Sequence, residues 1–364
     1  MEVQKMISHT KWEKMFSTKY LMIFAGILLL TIIPLLVLGK YNIMCYDDYL
    51  FGATVHSTWV NTGSVKETVL TAVNHANTKY MNWQGCWLVT FLTAMYPANF
   101  VYDTAWIVPV ISIGVFATGT YLLGKQLFTK WFGGEKEEAN LVMFVLLFLF
   151  YQVMDSPFEG LYWYNGVIAY MLPQAFVFFC GAAIIKNLFS ERTTVTGCVW
   201  ASVCAIVAVG GNYITALQAE ILLFLLFVYT WFVKRNKICT IMLPFLIGTI
   251  FFCINVFSPG NASRSLADGV TGLGPVEAII LSFYYAGCYM IEWTPTIVVL
   301  VWIALLPVLW KIAGKTKRKF AHPVLVTAGV FCVYSAMFTP TLYAMGMVGL
   351  PRANNIIQMV YYLC

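Results

Sequence analysis

Charge is scarce in this sequence. Only 10% of its 364 residues are Asp, Glu, Lys or Arg, whereas a soluble globular domain averages about 25%. With 60% hydrophobic residues, the chain is also too apolar for a disordered protein or a collagen-like fibre. Several stretches of 16 or more residues carry no charge, and about 20 apolar residues span a bilayer as a helix. The composition therefore indicates an all-α polytopic membrane protein.

Signatures of several other classes are missing. The sequence has no Gly-rich phosphate loop, so nothing supports ATP-driven pumping, and it shows no internal repeat. Six of the ten cysteines lie inside apolar runs, where cysteine behaves as a small hydrophobic residue, so a disulfide scaffold is not indicated. The net charge of +6 follows the membrane topology and is no evidence for a nucleic-acid partner.

Hydropathy predicts a bundle of about nine membrane spans. They lie near 20–39, 104–124, 139–154, 167–185, 194–210, 214–233, 238–257, 296–313 and 323–342. The first run is too long for a signal-peptide core and has no small-residue cleavage site after it, so we expect it to stay as a span. We therefore predict a cytoplasmic N-terminal segment, 1–19, followed by a single transmembrane domain, 20–364. The residues after Arg352 are too few to span, so we expect the end to pack against the bundle or a longer segment to follow Cys364.

The distribution of basic residues predicts the orientation. With the N-terminus in the cytoplasm, 17 of the 22 Lys and Arg residues lie on the inner side and 5 on the outer side, which is a strong positive-inside bias. Two more apolar stretches are 86–98 and 276–293. If either crossed the membrane, every later loop would lie on the opposite side and the positive-inside bias would be lost. We therefore predict that they are helices lying along the outer interface. The long polar loops then face outside, and we expect any chemistry there.

The first outer loop, 40–103, carries an acidic pair just beyond the first span. The two residues, Asp47 and Asp48, are adjacent, so their side chains diverge by about 100° in a helix or 180° in a strand. One carboxylate can then face a cavity at the membrane surface while the other orients a neighbouring group. The competing interpretation is that one of them N-caps a helix that begins at Tyr49. Further on, Gly63 interrupts the chain and 65–84 has the apolar spacing of a helix.

Aromatic, amide and acidic residues are concentrated in the second outer loop. Glu159 is followed there by Trp163, Tyr164 and Asn165. Aromatic rings stack on the flat faces of sugars and amides bond to their hydroxyls, so these four residues are candidates for contact with a sugar or an acceptor. An ordinary aromatic belt at the membrane interface is an equally weighted alternative.

One carboxylate is predicted inside the membrane. Glu220 falls six residues past Ile214, about 9 Å along its span. An ionisable group at that depth costs about 2.5–3.5 kcal/mol on insertion scales and indicates a functional residue. We count it among the sugar or acceptor contacts; the alternative is an internally hydrogen-bonded or protonated packing residue.

Two arginines lie on the predicted outer side, Arg264 and Arg352. A guanidinium binds phosphate bidentately and stays charged, so each is a candidate for the phosphate of a lipid-linked donor. The alternatives are a lipid headgroup anchor or a salt bridge, for Arg264 with Asp268. Trp83 and Asn261 are further candidates for contact with the sugar or the acceptor.

Several short motifs resemble one known family. YDDY at 46–49 follows the first span, and WQG at 83–85 and Pro97 come later in the same loop. Together they resemble membrane glycosyltransferases of the GT-C fold, and more narrowly the bacterial glucosyltransferase-like membrane proteins of cell-surface polysaccharide pathways. Those proteins in turn resemble the oligosaccharyltransferase and protein mannosyltransferase superfamily. The resemblance implies a GT-C-like bundle with amphipathic helices in its first outer loop, and it favours Arg264 as the phosphate contact. Cys86 departs from the pattern, because a basic residue is expected there.

The resemblance also implies a reaction. A monosaccharide would move from a polyprenyl-phosphate-linked donor to a cell-envelope glycan, such as a wall polysaccharide, teichoic acid or O-antigen, on the outer side of a bacterial cytoplasmic membrane. Asp47 or Asp48 would deprotonate the acceptor hydroxyl, and direct attack would invert the anomeric carbon. A polyprenyl-phosphate glycosyltransferase and a flippase would be pathway partners. Assistance by Mg²⁺ or Mn²⁺ stays open, because the acidic residues form no recognisable ligand set.

Other functions remain in competition. A polysaccharide polymerase or ligase would use a lipid-linked oligosaccharide, and a transporter or flippase would use Glu220 as its coupling carboxylate. Transporters often show inverted repeats and broken helices, and the first outer loop here occupies 64 residues, which favours an enzyme. A non-catalytic partner in a larger membrane assembly is a third class.

Overall fold

The computed structural model describes residues 18–267, 271–316 and 322–364, and over these ranges the chain is helical and contains no β-strand. Side chains are described over 21–264, 271–316 and 322–364. The helices are α1 (Thr18–Leu38), α2 (Asp47–Thr62), α3 (Val65–Asn82), α4 (Trp87–Ala94), α5 (Ile107–Gln126), α6 (Lys136–Gln152), α7 (Leu172–Leu188), α8 (Val195–Val209), α9 (Tyr213–Val233), α10 (Cys239–Val256), α11 (Pro259–Ala267), α12 (Pro275–Glu292), α13 (Thr296–Lys315), α14 (Pro323–Ala336), α15 (Thr339–Met345) and α16 (Pro351–Leu363).

Among the described residues, seven helical stretches are long and apolar enough to cross a membrane. They are Leu21–Tyr41, Ile107–Trp131, Tyr164–Leu188, Tyr213–Val233, Cys239–Arg264, Thr296–Lys315 and Pro323–Met345. A polytopic helical membrane protein is thereby confirmed. The other two predicted spans correspond to α6, with 17 residues, and α8, with 15, each shorter than the roughly 20 residues of a full crossing. The count of nine spans stays a prediction.

The helices within residues 40–103 agree largely with their sequence pattern. The helix predicted over 65–84 is α3, and the chain enters it through Ser64, whose hydroxyl accepts a hydrogen bond from the Glu67 amide. Gly63 ends α2 in the left-handed conformation that glycine adopts without strain. The stretch 86–98 contains α4 and the start of a 3-10 turn, Pro97–Asn99; the eight residues of α4 reach about 12 Å and cannot span.

The N-cap interpretation of the acidic pair was wrong. The helix begins at Asp47, two residues before Tyr49, and its N-cap residue Tyr46 makes no side-chain capping bond. Both carboxylates therefore lie in the first turn of α2, where the positive end of the helix dipole favours negative charge.

The C-terminal helix α16 is part of the core. Every residue from Ala353 to Tyr362 is buried, so the expected packing of this end against the bundle is confirmed. The main hydrophobic core joins α16 to α5, α6 and α7 through residues such as Phe116, Phe150 and Phe178. At the other extreme, the described side chains of α1 are mostly exposed or half-buried, and only Leu28 among them is buried.

Candidate functional site

The acidic pair is joined by one residue, Asn165, to the loop that runs from Asp155 to Gly166. Its backbone N–H donates to Asp48 Oδ1 at 3.1 Å, and its side-chain amide donates to Asp47 Oδ2 at 3.3 Å. Asn165 lies in a short helical turn, Tyr164–Gly166, that Trp163 enters in an extended conformation. These bonds bring together three residues that the sequence predicted for the site, across 117 positions of chain.

The backbone beside the pair is strained. Tyr46 has a φ of 47° and a ψ of −122°, a conformation that non-glycine residues rarely adopt. The turn brings the Cys45 amide to 3.2 Å from Asp48 Oδ2. It also leaves the Tyr46 ring largely exposed, 6.1 Å from the Trp163 ring between centroids. Strain of this kind persists where surrounding contacts enforce it.

Asp48 is a buried acid with a displaced pKa. Its side chain is 1% exposed. Burial raises the pKa of Asp48 from 3.8 to about 6; hydrogen bonds from Cys45 and Asn165 oppose the rise, and the neighbouring charge of Asp47 adds to it. A carboxyl group with a pKa near 6 is mostly ionised at neutral pH and is a stronger base than an ordinary aspartate. Asp48 can therefore accept a proton at physiological pH.

Two stacked tyrosines form the buried side of this site. The Tyr96 and Tyr164 rings are nearly parallel, with centroids 3.9 Å apart, and Tyr164 donates to the Leu92 carbonyl at 3.0 Å. The Tyr96 hydroxyl is buried and has no hydrogen-bond partner among the described residues. Burial raises the pKa of Tyr96, and the charge of Asp48 raises it further. Tyr96 was not predicted, because a tyrosine before Pro97 resembles any interfacial aromatic.

Arg352 lies against the same aromatic loop. Its guanidinium carbon is 5.3 Å from the centre of the Trp163 ring and 5.7 Å from that of Tyr170. Glu159 accepts from the Arg352 amide at 3.0 Å and forms an ion pair with its guanidinium at 3.4 Å. Trp163 therefore contacts both Tyr46 and Arg352. Through Trp163, Arg352 is linked to the chain segment beside the acidic pair.

The first turns of α16 hold the Asp155–Gly166 loop in place. Asn355 exchanges two hydrogen bonds with the backbone of Ser156, both 2.8 Å long. One turn later, Gln358 donates to the Val153 carbonyl at 2.9 Å and accepts from the Asp155 amide at 3.2 Å. The run of amides in an otherwise apolar terminal segment was visible in the sequence, but nothing there indicated which loop it binds.

The other arginine belongs to a second cluster, around Trp83. The Arg264 guanidinium donates to Gln84 Oε1 at 2.7 Å and lies 5.1 Å from the Trp83 ring centre. The Lys79 ammonium lies 5.7 Å from the centre of the same ring. The alternative partner of Arg264, Asp268, lies outside the described residues. The preference for Arg264 as the phosphate contact stays a prediction.

Asn261 ties this second cluster together. Its carbonyl oxygen accepts from the Gly85 amide at 2.9 Å and from the Tyr213 hydroxyl, and its amide group donates to two carbonyls at the end of α10. Gly85 is required there, because an added Cβ would lie 1.9 Å from the Asn255 carbonyl oxygen. The side chain of Asn261 is fully used in these bonds, which suits a positioning residue.

Glu220 lies between α9 and α10. Thr249 donates to its Oε2 at 2.9 Å, while Oε1 is buried without a partner among the described residues. A Cβ added to Gly248 would lie 2.6 Å from this Oε1 atom, so Glu220 packs closely against the glycine on α10. The contacts of Glu220 are with the bundle, and the structure does not bring it to the acidic pair.

The predicted site residues fall into two clusters and one isolated carboxylate. Within the described residues, no group of three or more His, Cys, Asp or Glu side chains is placed to hold a metal ion. Comparisons with protein-family profiles, curated proteins and solved structures found no match to this chain. The first cluster consists of a buried carboxylate, an adjacent carboxylate, an aromatic loop and an arginine held against that loop.

Proposed function

We propose that this protein is a membrane glycosyltransferase that uses a polyprenyl-phosphate-linked monosaccharide. One observation carries the proposal: Asn165 binds both members of the acidic pair, and the loop that contains it also holds Arg352 against Trp163. A sugar transferase needs a base for the acceptor hydroxyl, a surface for the sugar ring and a cation for the leaving phosphate, and this arrangement offers each of the three.

Asp48 is the proposed base. It removes the proton from the acceptor hydroxyl as that oxygen attacks the anomeric carbon, and general-base assistance contributes about 10²–10⁴-fold in rate. Asp47, less buried and bound to the Asn165 side chain, orients that amide. Direct displacement inverts the anomeric centre, and in this proposal Asp47 positions Asn165 and does not act as a covalent nucleophile.

Arg352 is the proposed phosphate ligand. As the glycosidic bond breaks, the polyprenyl phosphate leaves with a growing negative charge, which a preorganised guanidinium stabilises. The contact of Arg352 with Trp163 supports this assignment over Arg264, which lies with Trp83 and Gln84. Trp163 is only 7% exposed and forms the wall behind Arg352, so the exposed ring of Tyr46 beside it is the apolar surface proposed for the sugar.

We also propose where in the cell the protein acts. The excess of basic residues in alternate loops supports an active site on the outer face of a bacterial cytoplasmic membrane, with a cell-envelope glycan as acceptor. A polyprenyl-phosphate glycosyltransferase and a flippase would supply the donor there. The same geometry also suits a polymerase or ligase with a larger lipid-linked donor, and the donor panel below separates the two.

The test is sugar transfer by the purified full-length protein. Radiolabelled polyprenyl-phosphate monosaccharides and lipid-linked oligosaccharides are incubated with cell-envelope acceptors, and wild type is compared with Asp48→Asn and Asp47→Asn. Asp103→Asn is the matched control, because Asp103 is an exposed aspartate of the same loop in the left-handed conformation that asparagine also tolerates. We expect a loss of at least about 100-fold in Asp48→Asn and none in the control. Equal transfer by all four proteins would remove Asp48 as the base.

A transporter with Glu220 as its coupling carboxylate is the second candidate. It is supported by the unpartnered buried oxygen of Glu220, since ionisable groups within a membrane often mark a transport pathway. Glu220→Gln keeps an oxygen for the Thr249 hydroxyl and removes the charge. Unchanged proton- or sodium-coupled uptake of sugars in proteoliposomes of this variant would exclude that role.

A further inference from the structure

The ammonium of Lys79, in the last turn of α3, lies against two aromatic rings. It is 5.5 Å from the centre of the Phe51 ring and 5.7 Å from that of the Trp83 ring. Within the described part of the chain it forms no ion pair and no hydrogen bond. Ring faces attract a cation but do not use its hydrogen-bond donors. Lys79 therefore keeps both its charge and its donors for another group.

The surroundings of Lys79 leave its charge uncompensated. The one carboxylate on α3, that of Glu67, begins about 18 Å away along the helix axis. His75, one turn before Lys79, contributes no opposite charge: burial lowers its pKa, and the charge of Lys79 lowers it further. Arg264 brings a second cation to the Trp83 ring, but its alternative partner Asp268 lies outside the described residues. The positive charge of this cluster therefore rests on Lys79.

The cluster is accessible and lies beside the acidic pair. Lys79 and Trp83 are half-buried, so a ligand can reach them. Phe51 lies on α2 about 5 Å further along the axis than the second aspartate of the pair. The pair is thus linked through Phe51 to Lys79 and, on the other contact described above, through Trp163 to Arg352.

We propose that Lys79 binds a negatively charged group, a phosphate diester or a carboxylate, on the acceptor glycan. Because this names the acceptor of the proposed glycosyl transfer, the assignment depends on that function. A polyprenyl-phosphate monosaccharide carries its charge on one phosphate, which Arg352 meets in the proposed reaction. A second cation at the same helix is then left for the acceptor, and an ammonium, as a point charge, binds either kind of anion.

An anionic acceptor also needs such a cation. Asp47 and Asp48 repel any negative group that approaches them, and a positive charge held close to α2 offsets that repulsion. A neutral glycan has no such requirement. The acceptor class that the geometry favours is therefore a charged cell-envelope glycan.

The test is equilibrium binding to the purified full-length protein in a neutral detergent, without donor. The probes are fluorescently labelled glycerol phosphate oligomers, oligogalacturonate and neutral dextran of similar length, followed by fluorescence anisotropy. Lys79→Gln removes the charge and Lys79→Arg keeps it. Lys66→Gln is the matched control, because Lys66 is an exposed lysine of the same helix about 20 Å away along its axis. Thermal unfolding of each variant shows that the fold is retained.

We expect wild type, Lys79→Arg and Lys66→Gln to bind one of the anionic probes more tightly than dextran. Lys79→Gln should lose about tenfold in affinity for that probe and none for dextran, because one charge-assisted hydrogen bond contributes roughly that factor. Added salt should weaken the preference in wild type. The stronger of the two anionic probes distinguishes a phosphate diester from a carboxylate.

Three results would overturn the proposal. One is equal affinity of wild type and Lys79→Gln for both anionic probes, and another is an equal loss in Lys66→Gln, which would show a diffuse charge effect. The third is displacement of the anionic probe by phosphatidylglycerol at equal phosphate concentration, which would assign Lys79 to a lipid headgroup.

These results are separate from the test of glycosyl transfer, because binding is measured without donor. A charge preference that depends on Lys79, together with no transfer from any donor, would count against the glycosyltransferase and leave the anion site in place. Transfer to a neutral glycan at a rate that Lys79→Gln leaves unchanged would overturn the anionic acceptor and leave the enzyme in place.

Discussion

Replacing Asp48 by Asn should abolish sugar transfer and, at pH 8, stabilise the folded protein. In wild type, burial favours the neutral carboxyl: the pKa of Asp48 is raised from 3.8 to about 6. For an acid whose pKa is raised on folding, the folded state holds the proton more tightly than the unfolded state. The free energy of unfolding therefore falls as the pH rises from about 3.8 to about 6, and above that range it stays lower by up to about 3 kcal/mol.

Asp48→Asn removes this cost of a buried charge. The amide oxygen can still accept from the Asn165 N–H, but the new amide group then faces the Cys45 N–H, and two opposed donors cost about 1–2 kcal/mol. We expect a net gain of about 1 kcal/mol at pH 8, or a rise of roughly 1–2 °C in melting temperature. At pH 4.5 the gain should disappear, because the wild-type carboxyl is then already neutral.

The assay is thermal unfolding of both proteins in the same detergent at pH 4.5 and 8, beside sugar transfer across pH 5–8. Wild-type transfer should fall about tenfold per unit below pH 6 as Asp48 is protonated, while the variant is inactive throughout. A variant that is less stable at pH 8 than wild type would refute the burial argument. A transfer rate independent of pH between 5 and 7 would refute Asp48 as the base.

Two further predictions follow from single contacts. Glu159→Gln keeps the hydrogen bond from the Arg352 amide but removes the competing charge, so we expect polyprenyl phosphate to bind about 3- to 10-fold more tightly in equilibrium titration; unchanged or weaker binding would contradict Arg352 as the phosphate ligand. Gly85→Ala should destabilise the protein by about 1–3 kcal/mol, since its Cβ would overlap the Asn255 carbonyl. Gly114→Ala, with nothing within 4 Å of the added Cβ, should be neutral or stabilising, and equal melting temperatures for both alanine variants would show that the close approach at Gly85 is absent.

Local sequence patterns were sufficient to predict the helical membrane class and individual helices. Composition and uncharged runs predicted a helical membrane protein, because the cost of burying a charge in lipid acts on each segment by itself. The helix α3 and the break at Gly63 were predicted from apolar spacing and a glycine, which act over one or two turns. Whether α6 and α8 span the membrane was harder to predict. They are short and contain polar or small residues, and their lengths fall between that of a full membrane crossing and that of a buried helical segment.

The site was predicted only as separate pieces. Asp47, Asp48, Trp163 and Asn165 were candidates by residue type, but nothing local indicated that one asparagine binds both carboxylates. The surroundings of the two arginines likewise depend on the fold: Arg352 contacts Trp163 and Arg264 contacts Trp83. Tyr96 and the amides of α16 were not predicted, because a residue's chemistry does not reveal what packs against it.

The sequence alone thus determined the membrane class, the helical segments and an inventory of chemically capable side chains, since hydropathy, helix period and glycine conformations are properties of short stretches. The tertiary structure alone decided which of those side chains meet, how deeply Asp48 is buried and hence what its pKa is. Such contacts join positions more than 100 residues apart, and they are set by the packing of whole helices, which no local pattern specifies.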